Sequence, residues 1–185
     1  MEFILNFLGN PKTTFEWIGQ ALAILGLIAM IFSYLQTKRK NVLLGKLAAD
    51  ISKVLHYIFL GAFSGMVPNA VGVLRESVYL NREKHKWADS PIWPVIFISL
   101  NIIIGSFTYK SPIDILPIAA SVFATLSFWF KKPLVIKLVS LPATSSFLIY
   151  DILVGSASVV TETFTLVAII SGIIRELYNQ RKVAE

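Results

Sequence analysis

The chain contains no cysteine and two histidines, His56 and His85. Disulfides, thiolate metal sites and thiol nucleophiles are excluded, and two histidines do not make a multi-histidine metal centre. Charge is also scarce: Asp, Glu, Lys and Arg make up 15% of the 185 residues. No GxxxxGK[ST] loop is present, so the chain has no P-loop ATPase of its own. No Ser–His–Asp spacing suggests a hydrolase. The expectation is a protein that is not an enzyme and uses no cofactor and no metal.

What the chain has in abundance is apolar surface. Hydrophobic residues make up 55% of it and the mean hydropathy is +0.68. A soluble domain of this size sits nearer 45–50% apolar, roughly. Apolar runs of about membrane-spanning length recur along the sequence. The fold class expected is therefore an all-α membrane protein, a single domain over residues 1–185. The net charge of +6 suggests nucleic acid at first sight. The basic residues sit at the ends of apolar runs, however, as the positive-inside rule requires, so the bilayer is the expected partner and nucleic acid is not. Met1 to Pro11 has one acidic residue and no basic stretch, unlike a cleaved signal peptide. An interfacial segment is expected there.

Seven helices are expected, at about Phe15–Gln36, Leu43–Leu60, Met66–Leu80, Ile92–Phe107, Ile113–Phe130, Leu134–Val154 and Val159–Tyr178. Gly61 to Gly65 reads as a tight turn. Lys38, Arg39, Lys40, Arg82, Lys84, Lys86, Lys131, Lys132, Arg181 and Lys182 then fall on one side, and Lys12 and Lys110 on the other. Ten against two predicts an N-terminus outside and a C-terminus inside, on the cytoplasmic face. Trp17, Trp87, Trp93 and Trp129 fall near the predicted interfaces, as anchoring residues do.

The same pattern ends two helices: Gly72-Val-Leu-Arg75-Glu76 and Gly172-Ile-Ile-Arg175-Glu176. Ser33-Tyr34 matches Ser127-Phe128, 94 positions on, and the same offset aligns Leu55–Gly61 with Ile149–Gly155. Beyond that point the offset is 100. The chain reads as two three-helix repeats, about 15–81 and about 113–179, joined by a linker helix at about 92–107. An odd helix number would invert the second copy; the extra fourth helix restores it. The repeats are then parallel, in a 3+1+3 design, and such units commonly enclose a pathway between them.

Several of these segments together resemble the YgjV family of bacterial inner-membrane proteins. They are Gly19 to Tyr34 with the basic turn after it, Leu55-His56-Tyr57 leading to Gly61, and Gly72-Val-Leu-Arg75. In the second half they are Pro112-Ile-Asp-Ile-Leu-Pro117, Gly155-Ser156, Glu162 and Ile173-Ile174-Arg175. That family is similar in layout to SWEET sugar facilitators, PQ-loop transporters and PnuC-type vitamin transporters. The chain lacks the Pro-Gln dipeptide of the PQ-loop group, and Tyr150-Asp151 stand where His-Asn would be expected. The resemblance implies a fold more firmly than a substrate.

Intramembrane polar residues are costly and mark either docking belts or functional sites. At 100° per residue, Lys46, Asp50, Lys53, His56 and Tyr57 share one face of the second helix. Both lysines are within one turn of Asp50. The belt is either an ion-paired docking seam or a polar wall of a cavity. The sixth helix answers it with Lys137, Ser140, Thr144, Tyr150 and Asp151. The candidate substrate-binding residues are Asp50, Lys53, His56, Asn69, Asn101, Tyr150, Asp151 and Glu162. Glu162 is alternatively an exposed carboxylate near the outer turn. Candidate gate or hinge residues are Arg75, Glu76, Arg175 and Glu176, with Pro142 as a kink in the sixth helix. The arginines are expected either to snorkel or to pair with a glutamate of another helix, because neighbours on one helix point apart. The expected function is transport of a small polar metabolite by alternating access. The alternative is a helper, sensor or scaffold that moves nothing. The chain is compatible with either a monomer or a homo-oligomer.

Overall fold

The computed structural model describes residues 11–61, 63–156 and 158–184, which are helical with short connections. Its helices are α1 Thr14–Leu35, α2 Arg39–Phe59, α3 Phe63–Asn81, α4 Ile92–Thr108, α5 Ile115–Trp129, α6 Pro133–Val154 and α7 Ser158–Ala184. A single turn of 3-10 helix, Pro112–Asp114, leads into α5. Local chemistry sets several of the ends. The Thr13 hydroxyl accepts from the Glu16 amide at 3.2 Å and caps α1. Pro133 opens α6 at a position where its missing N–H costs nothing, and Gly155 closes that helix at φ +69°.

Three boundaries differ from expectation. α2 begins at Arg39, four residues before Leu43, because Arg39 turns inward to bond carbonyls. The turn after α2 is shorter than Gly61–Gly65: Gly61 takes φ +65° and α3 is under way by Phe63. α7 continues past Tyr178 to Ala184, and Arg181 and Lys182 complement the helix dipole in its last turn. The N-terminal interfacial segment, apart from Pro11, and Ala62 of the turn lie outside the described residues.

Among the described residues four helices are long and apolar enough to cross a bilayer: α1, α5 with its 3-10 lead-in, α6 and most of α7. α4 is apolar but shorter. The distribution of residues is that of a membrane protein. Leu25, Ile28 and Phe32 on α1, Ile102 and Ile103 on α4, and Val167, Ile170 and Ile174 on α7 are exposed. Arg39, Lys46, Asp50, Arg75, Glu76 and Lys137 are buried. An apolar girdle around a charged interior inverts the arrangement of a water-soluble domain, and lipid is the solvent that accepts it.

Sequential helices pack as neighbours: α1 on α2, α2 on α3, α5 on α6, α6 on α7. α1 also meets α7, and α5 meets both α3 and α4. The basic turns gather at one end of the bundle. There Tyr34, Val42, Leu43, Tyr79, Phe128, Ile136 and Ile169 form a buried plug. An aromatic chain braces it from the side: Trp87 on Trp93, Trp93 on Phe97, Phe97 on Tyr79 and Tyr79 on Trp129, with centroids 5.2–5.9 Å apart. Trp17 and Trp87 are exposed, as anchors would be, while Trp93 and Trp129 are half-buried in this chain.

Candidate functional site

Above the plug the helices part around a cavity of about 520 Å³. All seven helices contribute to its wall. α2 supplies Lys46, Asp50, Lys53, His56 and Tyr57, the full polar face expected from helical periodicity. α3 gives Asn69 and Arg75, α4 gives Asn101, α6 gives Thr144, Tyr150 and Asp151, and α7 gives Glu162 and Thr165. All eight candidate binding residues therefore border one space. α1 contributes an apolar strip, Ala23, Ile24, Leu27 and Met30.

The floor is a buried charge network. Lys46 Nζ donates to Asp50 Oδ1, one turn along α2. Arg75 Nε and one terminal nitrogen donate to Glu76 Oε1 at 3.0 and 2.7 Å. That terminal nitrogen also lies 4.0 Å from Asp50 Oδ2. The other terminal nitrogen donates to Thr125 Oγ1 at 3.0 Å, and Asn101 Nδ2 donates to the same hydroxyl at 3.0 Å. α2, α3, α5 and α4 are thus joined through one tetrad and one threonine. Lys46 and Arg75 also lie over the Phe128 ring, 5.9 and 5.6 Å from its centroid. Asp50 Oδ2 and Glu76 Oε2 are buried and accept no hydrogen bond among the described residues. Gly72 makes the arrangement fit, because a side chain there would meet the Asp50 carboxylate.

These contacts correct two expectations. Arg75 pairs with its own neighbour Glu76 rather than with a glutamate of another helix, and it is too buried to snorkel. A guanidinium is long enough to fold back over one residue when both groups are sealed from water. Lys46 engages Asp50, whereas Lys53, on the other side of Asp50, does not come within ion-pairing distance among the described residues.

The upper wall is looser. His56 Nδ1 lies 2.8 Å from the Gly19 carbonyl oxygen, which fixes that nitrogen as the donor and leaves Nε2 as the other site of the ring. The Tyr150 hydroxyl is paired with Asp114, at the start of the second half. Lys53, Asp151 and Glu162 line the cavity from three helices. Glu162 is half-buried at the wall rather than exposed at the outer turn.

Four of the five candidate gate or hinge residues stand away from the cavity; Arg75 borders it. Glu76 lies behind Arg75. Glu176 accepts from Lys137 Nζ at 3.1 Å, and the same ammonium donates to the Gly172 carbonyl at 3.2 Å. Lys137 is therefore a buried strap between α6 and α7, and the wall expected of α6 loses it. Ser140 also turns away, donating to Ser127 Oγ at 3.1 Å. Pro142 is exposed, and α6 runs unbroken through it.

Closure of the basic end falls to Arg39 and Arg82, which sequence reading did not single out as gate residues, together with Arg175. Arg39 donates to the carbonyls of Phe130 at 2.9 Å, Tyr79 at 3.2 Å and Phe128 at 3.5 Å. It is thereby fastened to the ends of α3 and α5. Arg82 donates to the Trp129 carbonyl and stacks 3.4 Å from the centroid of the Trp129 ring. It also binds Asp89, with Lys131 3.7 Å from the second carboxylate oxygen. The Arg82 guanidinium holds the Asp89 carboxyl below the usual aspartate range. Arg175, the remaining gate candidate, donates to the Leu35 carbonyl at 3.0 Å. The basic run Thr37–Lys40 looked like an ordinary stop signal, and nothing in it distinguishes the buried Arg39 from its exposed neighbours.

Among the described residues no cluster of three or more acidic or histidine side chains is placed to hold a metal ion. No curated protein and no solved structure matches the chain significantly. The family model described as "Bacterial inner membrane protein" (Imp-YgjV) matches residues 17–180, nearly the whole helical bundle. With its apolar girdle, its charged interior and that match, the chain belongs to the YgjV family of bacterial inner-membrane proteins.

Proposed function

We propose that the protein carries a small polar metabolite across the inner membrane by alternating access between two three-helix halves. The observation that carries this is the cavity: eight polar residues from α2, α3, α4, α6 and α7 border one space of about 520 Å³. That volume lies within the roughly 300–1,000 Å³ usual for small-molecule sites. Burying so many polar groups around a void is expensive in a membrane, and a ligand that pairs with them offsets the expense.

The 3+1+3 layout is supported by the packing. α1, α2 and α3 neighbour one another as α5, α6 and α7 do, and the cross-contacts α1–α7 and α3–α5 exchange under a twofold. Leu35 and Trp129 stand 94 residues apart. The carbonyl of each takes an arginine from the third helix of the opposite half or from just beyond it. All seven helices then cross the membrane, with the N-terminus outside. The closed basic end faces the cytoplasm, and the cavity is the outward-facing form. Arg39, Arg82 and Arg175 form the inner gate.

The chain has no native cysteine, so each introduced one reports alone. Gln20→Cys and Thr161→Cys should label from outside intact cells with a membrane-impermeant maleimide, and Lys84→Cys only after lysis. The opposite pattern would overturn the orientation. Sealed proteoliposomes challenged with a metabolite extract should accumulate at least one polar compound, and Asp50→Asn should reduce that uptake at least tenfold. Binding without accumulation would assign the protein to sensing and sink the carrier.

A further inference from the structure

Three charged residues on the cavity wall have no ion-pair partner within 4.0 Å among the described residues: Lys53 on α2, Asp151 on α6 and Glu162 on α7. The rest of the charge on that wall is matched within the protein. Lys46 is on Asp50, and Arg75 is on Glu76 with Asp50 at 4.0 Å. The unmatched set has both signs and sits on separate helices. Lys53, Asp151 and Glu162 face the same space without touching one another. Asp151 is 9% exposed and Lys53 and Glu162 are half-buried, so water screens them incompletely.

The chemistry of a ligand follows from what each charge would meet. A sugar or other neutral polyol brings no counter-charge to any of the three. A simple amine would answer the carboxylates but face Lys53. A simple acid would answer Lys53 but face two carboxylates. A molecule with both charges on a short carbon frame meets all three with opposite sign, and charge-assisted hydrogen bonds of this kind are the strong ones. The strip Ala23, Ile24, Leu27 and Met30 on α1 offers apolar surface and nothing polar, a place for a carbon side chain.

We propose that this cavity selects a zwitterionic, amino-acid-like metabolite. Its carboxylate lies on Lys53, its ammonium between Asp151 and Glu162, and its side chain against α1. The proposal rests on the carrier reading above and adds the substrate class. Lys53, Asp151 and Glu162 are then the specificity-determining residues, while Asp50, Lys46 and Arg75 build the floor.

The test uses the purified full-length protein in detergent and calorimetric titration with the twenty common L-amino acids. For the tightest binder, the matching amine without carboxylate and the matching acid without amine are titrated too, with glucose alongside. At least one amino acid should bind, and at least tenfold more tightly than its amine or its acid. Lys53→Met should erase the preference over the amine, and Glu162→Gln should narrow the preference over the acid. The proposal is overturned if no amino acid binds, if the amine or the acid alone binds as well, or if both variants keep the parent's preferences. Flux in proteoliposomes separates this from the carrier reading. Glucose flux with every amino acid silent sinks the zwitterion and leaves a carrier. Amino-acid binding without flux keeps the site and sinks the carrier.

Discussion

Gly72→Ala tests the floor of the cavity with one methyl group. In an exposed helix the change would stabilise by about 1 kcal/mol, because alanine is the better helix former. Here the new Cβ would lie 2.9 Å from Asp50 Cγ and closer still to Oδ2. The carboxylate has nowhere to go. Asp50 is 1% exposed, Lys46 holds one oxygen, and Arg75 stands 4.0 Å from the other. Overpacking of this kind costs about 1–3 kcal/mol. Displacing a charge-assisted hydrogen bond adds about 1.5–3 kcal/mol. Set against the helix gain, the net is a loss of about 1.5–5 kcal/mol, which should lower the melting temperature by roughly 3–20 °C for a chain of this size. The assay is thermal unfolding of purified protein in detergent, read by tryptophan fluorescence. Asp50→Ala removes the obstacle, so Gly72→Ala in that background should be nearly neutral, with a coupling of at least about 1.5 kcal/mol in the double-mutant cycle. If Gly72→Ala alone melts at or above the parent temperature, the close approach of α2 and α3 does not depend on this glycine and the reasoning fails.

Arg75→Leu should be the most damaging single change in the tetrad, costing about 3–5 kcal/mol, because it leaves Glu76 buried without its cation and Asp50 with Lys46 alone; expression with unchanged thermal stability would contradict it. Arg39→Lys should lose most of the carbonyl bonds at the basic end, about 1–3 kcal/mol, since one ammonium cannot span the acceptors that the guanidinium reaches. Cysteines placed behind the plug should then label faster, and unchanged labelling would refute the closure. Asp89 is held below its ordinary pKa of about 3.9 in the folded protein, so it contributes stability above that value. The contribution disappears as pH falls through the lower folded value. Asp89→Asn should therefore melt below the parent at neutral pH and converge with it in strong acid, and a constant offset at every pH would show that the carboxylate's charge is not involved.

The helix order was legible because apolar runs and basic punctuation are written directly in a membrane chain. The face of α2 was legible too: Lys46, Asp50, Lys53, His56 and Tyr57 share an arc by periodicity alone, and all five border the cavity. Which partner each charge would choose was not legible. Helical spacing allowed Asp50 either lysine, and only the packing of α3 decided for Lys46 and Arg75. Arg75 and Glu76 were expected to point apart, yet sealing both from water made the adjacent pair the better arrangement. Lys137 shared a face with cavity residues on paper, but Glu176 and the Gly172 carbonyl drew it toward α7. Arg39 was hidden because its importance depends on carbonyls ninety residues away in the chain.

The bonds that close the basic end end mostly on carbonyl oxygens rather than on carboxylates. Such contacts can be handed to water one at a time with no proton taken up, and the ion pairs beside them, Arg39–Glu83, Arg82–Asp89 and Lys131–Asp89, are partly exposed. If they form the inner gate proposed above, the arginines sit at the membrane surface, where a small displacement carries little charge through the electric field. An inner gate of this design should therefore open at a rate nearly independent of voltage. Labelling of a cysteine behind the plug, followed in proteoliposomes under an imposed potassium diffusion potential, should change less than about twofold per 100 mV. A steeper response would mean that buried charge, such as the Lys46–Asp50–Arg75–Glu76 tetrad, moves with the gate.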